Sequence, residues 1–195
     1  MKISQVTKEI EDSIAVKQLV LEEEELIRRV ALLADQCRAS LSSGGKIIFC
    51  GNGGSFADAQ HLSAEFTSRF MFDRPSLASL ALGTNSSTLT ALGNDYGYDN
   101  VFAREMESIA QVGDVFIAIS TSGNSANVIK AVEFAKQKGI LTVVLTGQSG
   151  GKMSTIADCI RIPSENTARI QECHIMLGHI LCGLVEVGMF GSSAA

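Results

Sequence analysis

Only two prolines interrupt the 195 residues, so no proline-rich linker divides the chain, and a 46% hydrophobic fraction is enough for one well-buried core. Residues 1–195 therefore read as a single domain. There is no basic block either: 16 lysines and arginines face 21 acidic residues, a formal charge of −5. That balance disfavours nonspecific attachment to nucleic acid or to an anionic membrane. No apolar run approaches the about 18 residues of a membrane span, and the N-terminus lacks a basic-then-apolar signal pattern, so the expected location is cytoplasmic. The five cysteines (Cys37, Cys50, Cys159, Cys173 and Cys182) are odd in number and show no CxxC spacing. Reduced core thiols are the expectation, with neither a disulfide framework nor a cysteine zinc site. No repeat of solenoid length is present, and the only low-complexity stretch is the tail at 191–195, expected to fray.

Residues 4–42 contain no proline or glycine and read as helix. Leu26, Val30 and Leu33 fall at i, i+4 and i+7, and Ile10 and Ile14 at i, i+4, beside an acidic run from Glu22 to Glu25 that suits a solvated face. Such a length exceeds what a small domain needs to cover its sheet. The extension over 1–43 is therefore expected to pack against another subunit. After Ser43-Gly-Gly45 the chain alternates short apolar runs at 46–50, 77–82, 115–120, 140–145 and 159–162 with helix-like pieces. Those pieces run from the first strand to about 70, then over 84–92, 124–138, 152–157 and 167–189. Strands that are apolar throughout and spaced for crossovers predict an α/β fold whose parallel sheet, of about five strands, is buried on both faces.

Two strand-to-helix turns could hold an anion. The first strand stops at Gly51-Asn-Gly-Gly-Ser55, where the free N–H groups of the following helix would meet a ligand held by Asn52, Gly53, Gly54 and Ser55. The alternative is a tight turn with no ligand. The second, Ser120-Thr-Ser-Gly-Asn-Ser125, places four hydroxyls at a strand's carboxyl end, which suits a phosphate monoester without a basic residue. Helix capping by Asn124 or Ser122 would account for one or two of these residues, not four. The first loop lacks the final glycine of GxGxxG, and Gly147-Gln-Ser-Gly-Gly-Lys-Met153 has a methionine where a P-loop needs Ser or Thr.

His61 and Glu65, four apart, project from one face of the helix after the first loop, a spacing that serves metal binding, proton transfer or an ordinary surface pair. Arg69, a turn further on, suits either an ion pair with Glu65 or a substrate contact. The last helix carries Gln171, His174 and His179 among apolar residues, so each polar group there must find a partner.

Taken together, Cys50-Gly-Asn-Gly-Gly-Ser55, His61 with Glu65, Gly93-Asn-Asp-Tyr-Gly97, Ser120 to Ser125, Leu145-Thr-Gly147 with Gly150-Gly-Lys-Met153, and Arg169-Ile-Gln171 to His179 resemble the SIS (sugar isomerase) family almost end to end. Within it they resemble the phosphoheptose isomerases. The resemblance implies a three-layer αβα sandwich of flavodoxin-like type, assembled as a homotetramer with active sites at subunit interfaces. It implies interconversion of sedoheptulose 7-phosphate and D-glycero-D-manno-heptose 7-phosphate through a cis-enediol, feeding heptose synthesis for surface polysaccharide. It assigns Asn52, Gly53, Gly54, Asn94, Asp95, Ser120, Thr121, Ser122 and Ser125 to the sugar phosphate, to which Ser55, Glu65, Arg69 and Gln171 are added as substrate contacts. It also places His61, Glu65, Gln171 and His179 around one zinc ion, with Glu65 as base and His179 as acid. Glu65 would then be both ligand and base, two roles in tension because coordination lowers basicity. One departure is Ala168, where the family pattern has an aspartate before the arginine of Arg169-Ile-Gln171. The rival reading is a noncatalytic SIS protein that binds a replication initiator or another protein; Glu65 and His179 argue against it.

Overall fold

The computed structural model describes residues 2–191; beyond Gly191, the tail expected to fray lies outside the described residues. Five strands, β1 (Ile47–Gly51), β2 (Ser79–Ala81), β3 (Val115–Ile119), β4 (Leu141–Gly147) and β5 (Asp158–Ile162), form one parallel sheet in the order β2-β1-β3-β4-β5. Every residue of β1 and β3 is buried, the signature of a sheet covered on both faces. Alternate residues divide the core. Ile47 and Phe49 join Ile117, Leu145 and Ile160 on one side, while Ile48 and Cys50 join Phe116 and Val144 on the other.

The first side is covered by α2 (Glu24–Ser42), α3 (Gly54–Thr67) and α7 (Thr167–Phe190), the second by α5 (Val101–Ile109) and α6 (Ala126–Gln137). This is the expected three-layer αβα sandwich. α4 (Ser86–Tyr96) buries none of its residues within the chain. Because β2 and β3 lie on opposite sides of β1, the chain direction switches between β1 and β3, and ligands of open α/β sheets bind at such a switch, outside the strands' carboxyl ends. Both anion-loop candidates leave the sheet there.

Three local expectations are corrected. The helix over 4–42 is two helices, α1 (Lys2–Glu22) and α2, separated at Glu23, whose backbone is non-helical at φ −87° and ψ 83°. The break falls inside the acidic run: like charges weaken a continuous helix, whereas Glu24 and Glu25 at the start of a new one meet its positive dipole end. The stripe of Leu26, Val30 and Leu33 is core, but Ile10 and Ile14, with Ile3 and Val6, are exposed. α5 was not anticipated: it follows a run of glycine, asparagine and aspartate that reads as loop, and only Val101, Phe102 and Met106 of its residues are buried. Finally, α7 is long and apolar enough, by length and composition, to cross a membrane, contrary to the expectation that no segment is. Here Ile170, Leu177, Leu181 and Val185 pack into the core. All five cysteines are buried and free.

Candidate active site

The site is organised by α3 and α7, which run parallel and side by side. Their register can be read from three contacts. At Gly54 the Gln171 amide lies where a Cβ would be, at Gly178 the Leu62 methyls do the same, and Phe70 meets Gly183 further along. This register sets His61 beside His179. Their Nε2 atoms are 2.8 Å apart, with the rings edge to face at 76°, and the Glu65 carboxylate is 3.3 Å from His61 Nε2. One ligand atom from each of His61, Glu65 and His179 falls within 4.8 Å of the others. Two imidazole nitrogens and a carboxylate oxygen are a donor set suited to zinc, and edges of about 3.3 Å are those of a tetrahedron with bonds near 2.05 Å. The His61 to Glu65 distance meets that figure, and the two imidazoles need to part slightly. The residues therefore fit a divalent metal.

Gln171 does not join this trio within the chain. Its amide sits at the level of Gly54, seven residues before His61 on α3, which is about 10 Å of helical rise. Its neighbour there is Asp58, a residue that sequence reasoning passed over. Burial pushes the Asp58 carboxyl up to about 6, against the opposing influence of His61 and Gln171, and its Oδ2 has no hydrogen-bond partner among the described residues. The signal was available: Asp58 precedes His61 by three residues and so shares its helix face. Arg69, beyond the end of α3, is exposed and forms no ion pair with Glu65 among the described residues.

At the sheet's carboxyl edge, Ser120 is buried with its Oγ 3.1 Å from Ser125 Oγ, and Ser122 Oγ accepts from the Asn124 N–H. Thr121, Ser122 and Asn124 line a cleft of about 280 Å³ with Gly147, Gln148, Ser149, Ser164, Glu165, Thr167 and Ile170. No lysine or arginine lines it, so positive potential must come from the N-termini of α6 and α7. Gly123, at φ +64°, lies against the Gly150 carbonyl, where a Cβ would come within 2.0 Å. Glycine is required there both by the backbone and by the approach of the two loops.

In the first loop, Gly53 adopts φ +56° and Ser55 is buried. The Asn52 side chain is already occupied. It exchanges hydrogen bonds with Asn127 at 2.8 and 2.9 Å, and accepts another from Tyr98 Oη. Asn127, buried in the first turn of α6, thus ties the two loops together; neither it nor Tyr98 was singled out from sequence. Asn94 and Asp95 are exposed near the end of α4 and bond to each other. His174, by contrast with His179, is a core residue whose Nε2 meets the Thr146 carbonyl.

The SIS domain family model matches residues 11–147. The chain is 54% identical over 182 residues to a phosphoheptose isomerase of Aneurinibacillus thermoaerophilus, covering 93% of this chain and 92% of that one. Among solved structures, phosphoheptose isomerase GmhA from Neisseria gonorrhoeae superposes with a TM-score of 0.88 at 40% identity, covering 95% of this chain and 99% of that chain. A phosphoheptose isomerase from Francisella tularensis does so with a TM-score of 0.91 at 33% identity, covering 95% and 98%.

Proposed function

This chain belongs to the phosphoheptose isomerases of the SIS domain family, and on that premise we propose that it interconverts sedoheptulose 7-phosphate and D-glycero-D-manno-heptose 7-phosphate. The observation that carries the reading to individual residues is the meeting of one carboxylate, Glu65, with the imidazoles of His61 and His179. The phosphate end of the substrate is assigned to the cleft of Thr121, Ser122 and Asn124, where hydroxyls and helix N-termini serve a dianion. Holding that end fixes the reacting carbons against the carboxylate.

In the assigned mechanism Glu65 takes the C1 proton of the open-chain ketose and, after a cis-enediol, returns it to C2. His179 meanwhile carries a proton from the C1 oxygen to the C2 oxygen. The carbon acid becomes reactive only if the developing oxyanion is stabilised. A zinc ion held by His61, Glu65 and His179 would supply that stabilisation as a Lewis acid; a Gln171 donor, about 10 Å away along the helix pair within one chain, would have to come from a neighbouring subunit. Asp58, with its carboxyl raised to about 6 by burial, stands between Gln171 and His61 as a further acid within the same helix face.

Assembly into a homotetramer, with active sites at subunit interfaces, is part of the same proposal. Its support is apolar surface that the single chain leaves open: Ile3, Val6, Ile10 and Ile14 on α1, and Ile180, Leu184 and Val187 on α7. A cytoplasmic location is supported by five free, buried thiols. The noncatalytic alternative is not favoured by the family membership.

The test is a coupled assay of purified protein on sedoheptulose 7-phosphate, before and after chelation and with zinc restored, with light scattering to give the mass. Aldoheptose formation that disappears on chelation and returns with zinc is the expected result. In the same assay Glu65→Gln should abolish turnover while sugar-phosphate binding persists; near-normal turnover by that variant would remove Glu65 as the base.

A further inference from the structure

The end of α3 is closed by a side chain from outside the helix. α3 finishes without a glycine cap or a basic residue in its last turn, so the carbonyls of its final turn need other donors. Arg74 supplies two of them, those of Glu65 and Phe66, and goes on to Ser68 and Pro75 beyond the helix. Its guanidinium donates to the carbonyls of Glu65 at 2.7 Å, Phe66 at 2.7 Å, Ser68 at 2.9 Å and Pro75 at 3.1 Å, and its Nε donates to Glu186 at 3.0 Å. Glu186, on α7, also accepts from the backbone N–H groups of Phe70 and Met71, at 2.8 and 2.7 Å. The two side chains are 2% and 1% exposed. Burial alone would raise the Glu186 carboxyl, but the two N–H groups and Arg74 hold it below its ordinary value.

A buried ion pair is a poor device for stability alone, because its desolvation cost offsets most of its attraction and apolar residues of similar size often do as well. What this pair joins is more informative. Arg74 grips the backbone of Glu65 itself. Glu186 lies seven residues, two turns, beyond His179 on α7. Between them, Phe70 is held through its N–H by Glu186 while its ring stacks on the His179 imidazole, with centroids 5.6 Å apart and planes at 21°.

We propose that Arg74 and Glu186 are positioning residues, a buried clamp that fixes α3 against α7 and thereby sets the separation of Glu65 from His179. The clamp touches neither substrate nor the reacting atoms; it acts through the backbone of one member of the pair and through the ring packed on the other. Its catalytic consequence rests on the reading of Glu65 and His179 given above, whereas its structural consequence, a preformed trio of His61, Glu65 and His179, does not.

The experiment compares wild type with Arg74→Lys, Glu186→Gln and Phe70→Leu. Thermal melts establish the folded fraction, competition with a chelating dye gives zinc affinity, and steady-state kinetics on sedoheptulose 7-phosphate gives kcat and KM separately. Per folded molecule, each variant should lose at least about tenfold in kcat with KM within about twofold, because misplacement of reacting groups is felt in the transition state rather than in ground-state binding. Zinc binding should weaken at least about tenfold. Phe70→Leu keeps the ion pair, so it tests the clamp even if the charge variants fail to fold. Unchanged kcat and zinc affinity in every folded variant would reduce the pair to a structural role and overturn the proposal. If wild type binds zinc but leaves the sugar phosphate untouched, the functional reading falls and the zinc shift alone decides the clamp. If wild type isomerises the sugar without binding zinc, the kcat loss decides it, and a wild type that does neither overturns both.

Discussion

His174 offers a quantitative test of how α7 is seated on the sheet. Its ring is fully buried, with Nε2 3.2 Å from the Thr146 carbonyl and Nδ1 without a partner among the described residues. Burial lowers its pKa to about 4, with the bond to Thr146 opposing. In the unfolded chain the same ring titrates near its ordinary 6.5. Between the two values the unfolded chain binds more protons than the folded one, so stability rises with pH across that window. The contribution is complete above about 6.5 and is lost as pH falls towards about 4. At 1.36 kcal/mol per pKa unit the loss amounts to about 3 kcal/mol. Asp58 works in the opposite sense: burial raises its carboxyl from 3.8 to about 6, so its contribution is present at low pH and lost as pH rises through about 6. The total acid profile mixes the two, and the measurement must be a difference. Urea unfolding of wild type and His174→Gln, at one protein concentration because association shifts apparent stability, should be compared at half-unit steps from pH 7.5 to pH 4. Wild type should lose about 3 kcal/mol relative to the variant on the way down. A difference constant to within about 0.5 kcal/mol would refute the reasoning, since a ring that titrates alike in both states is not buried neutral against Thr146.

Two further substitutions probe the same frame. Gly178→Ala would put a Cβ 2.5 and 2.6 Å from the two methyls of Leu62, so Leu62 must leave its place on the seam or α3 and α7 must part. A destabilisation of about 1–3 kcal/mol should appear in thermal melts together with weaker zinc binding, and adding Leu62→Ala should recover part of the zinc affinity by vacating the overlap. Ser120→Ala removes the hydroxyl that meets Ser125 Oγ; on the proposed assignment of Ser120 to the sugar phosphate, the loss of one hydrogen bond to a dianion, about 1.5–3 kcal/mol, should raise KM more than it lowers kcat. A kcat loss with unchanged KM would place Ser120 outside phosphate binding.

The sheet was legible because its strands are continuous apolar runs bounded by turn chemistry, and each of the five lies within a residue or two of its expected position. What escaped follows from the limits of periodicity. Leu26–Val30–Leu33 and Ile10–Ile14 present the same spacing, yet one stripe is core and the other exposed; spacing shows that a face is apolar, not what covers it. Arg74 is a single charge in an irregular stretch, and four of its five hydrogen-bond contacts reach residues that follow no regular spacing from it. Glu186 was the more readable partner. A lone carboxylate in Leu184-Val-Glu-Val-Gly188 must either face water or find several donors.

The trio itself shows where local rules end. Four-residue spacing puts His61 and Glu65 on one face, but nothing in either helix says that His179, more than a hundred residues on, will meet them. That depends on the parallel register of α3 and α7, which small residues set: Gly54 receives the Gln171 amide and Gly178 receives Leu62. Gln171 and His179 lie eight residues and about 12 Å apart along one helix. α3 matches that separation, placing Gly54 and Asp58 at the level of Gln171, and His61 and Glu65 at the level of His179. The pair of helices therefore presents two polar stations on one seam. One is an amide and a half-buried acid near the cleft proposed to hold the phosphate, and the other holds the carboxylate and imidazoles. A substrate anchored by its phosphate would meet the two in sequence, which is the order that proton transfer at the far end of a phosphorylated sugar requires.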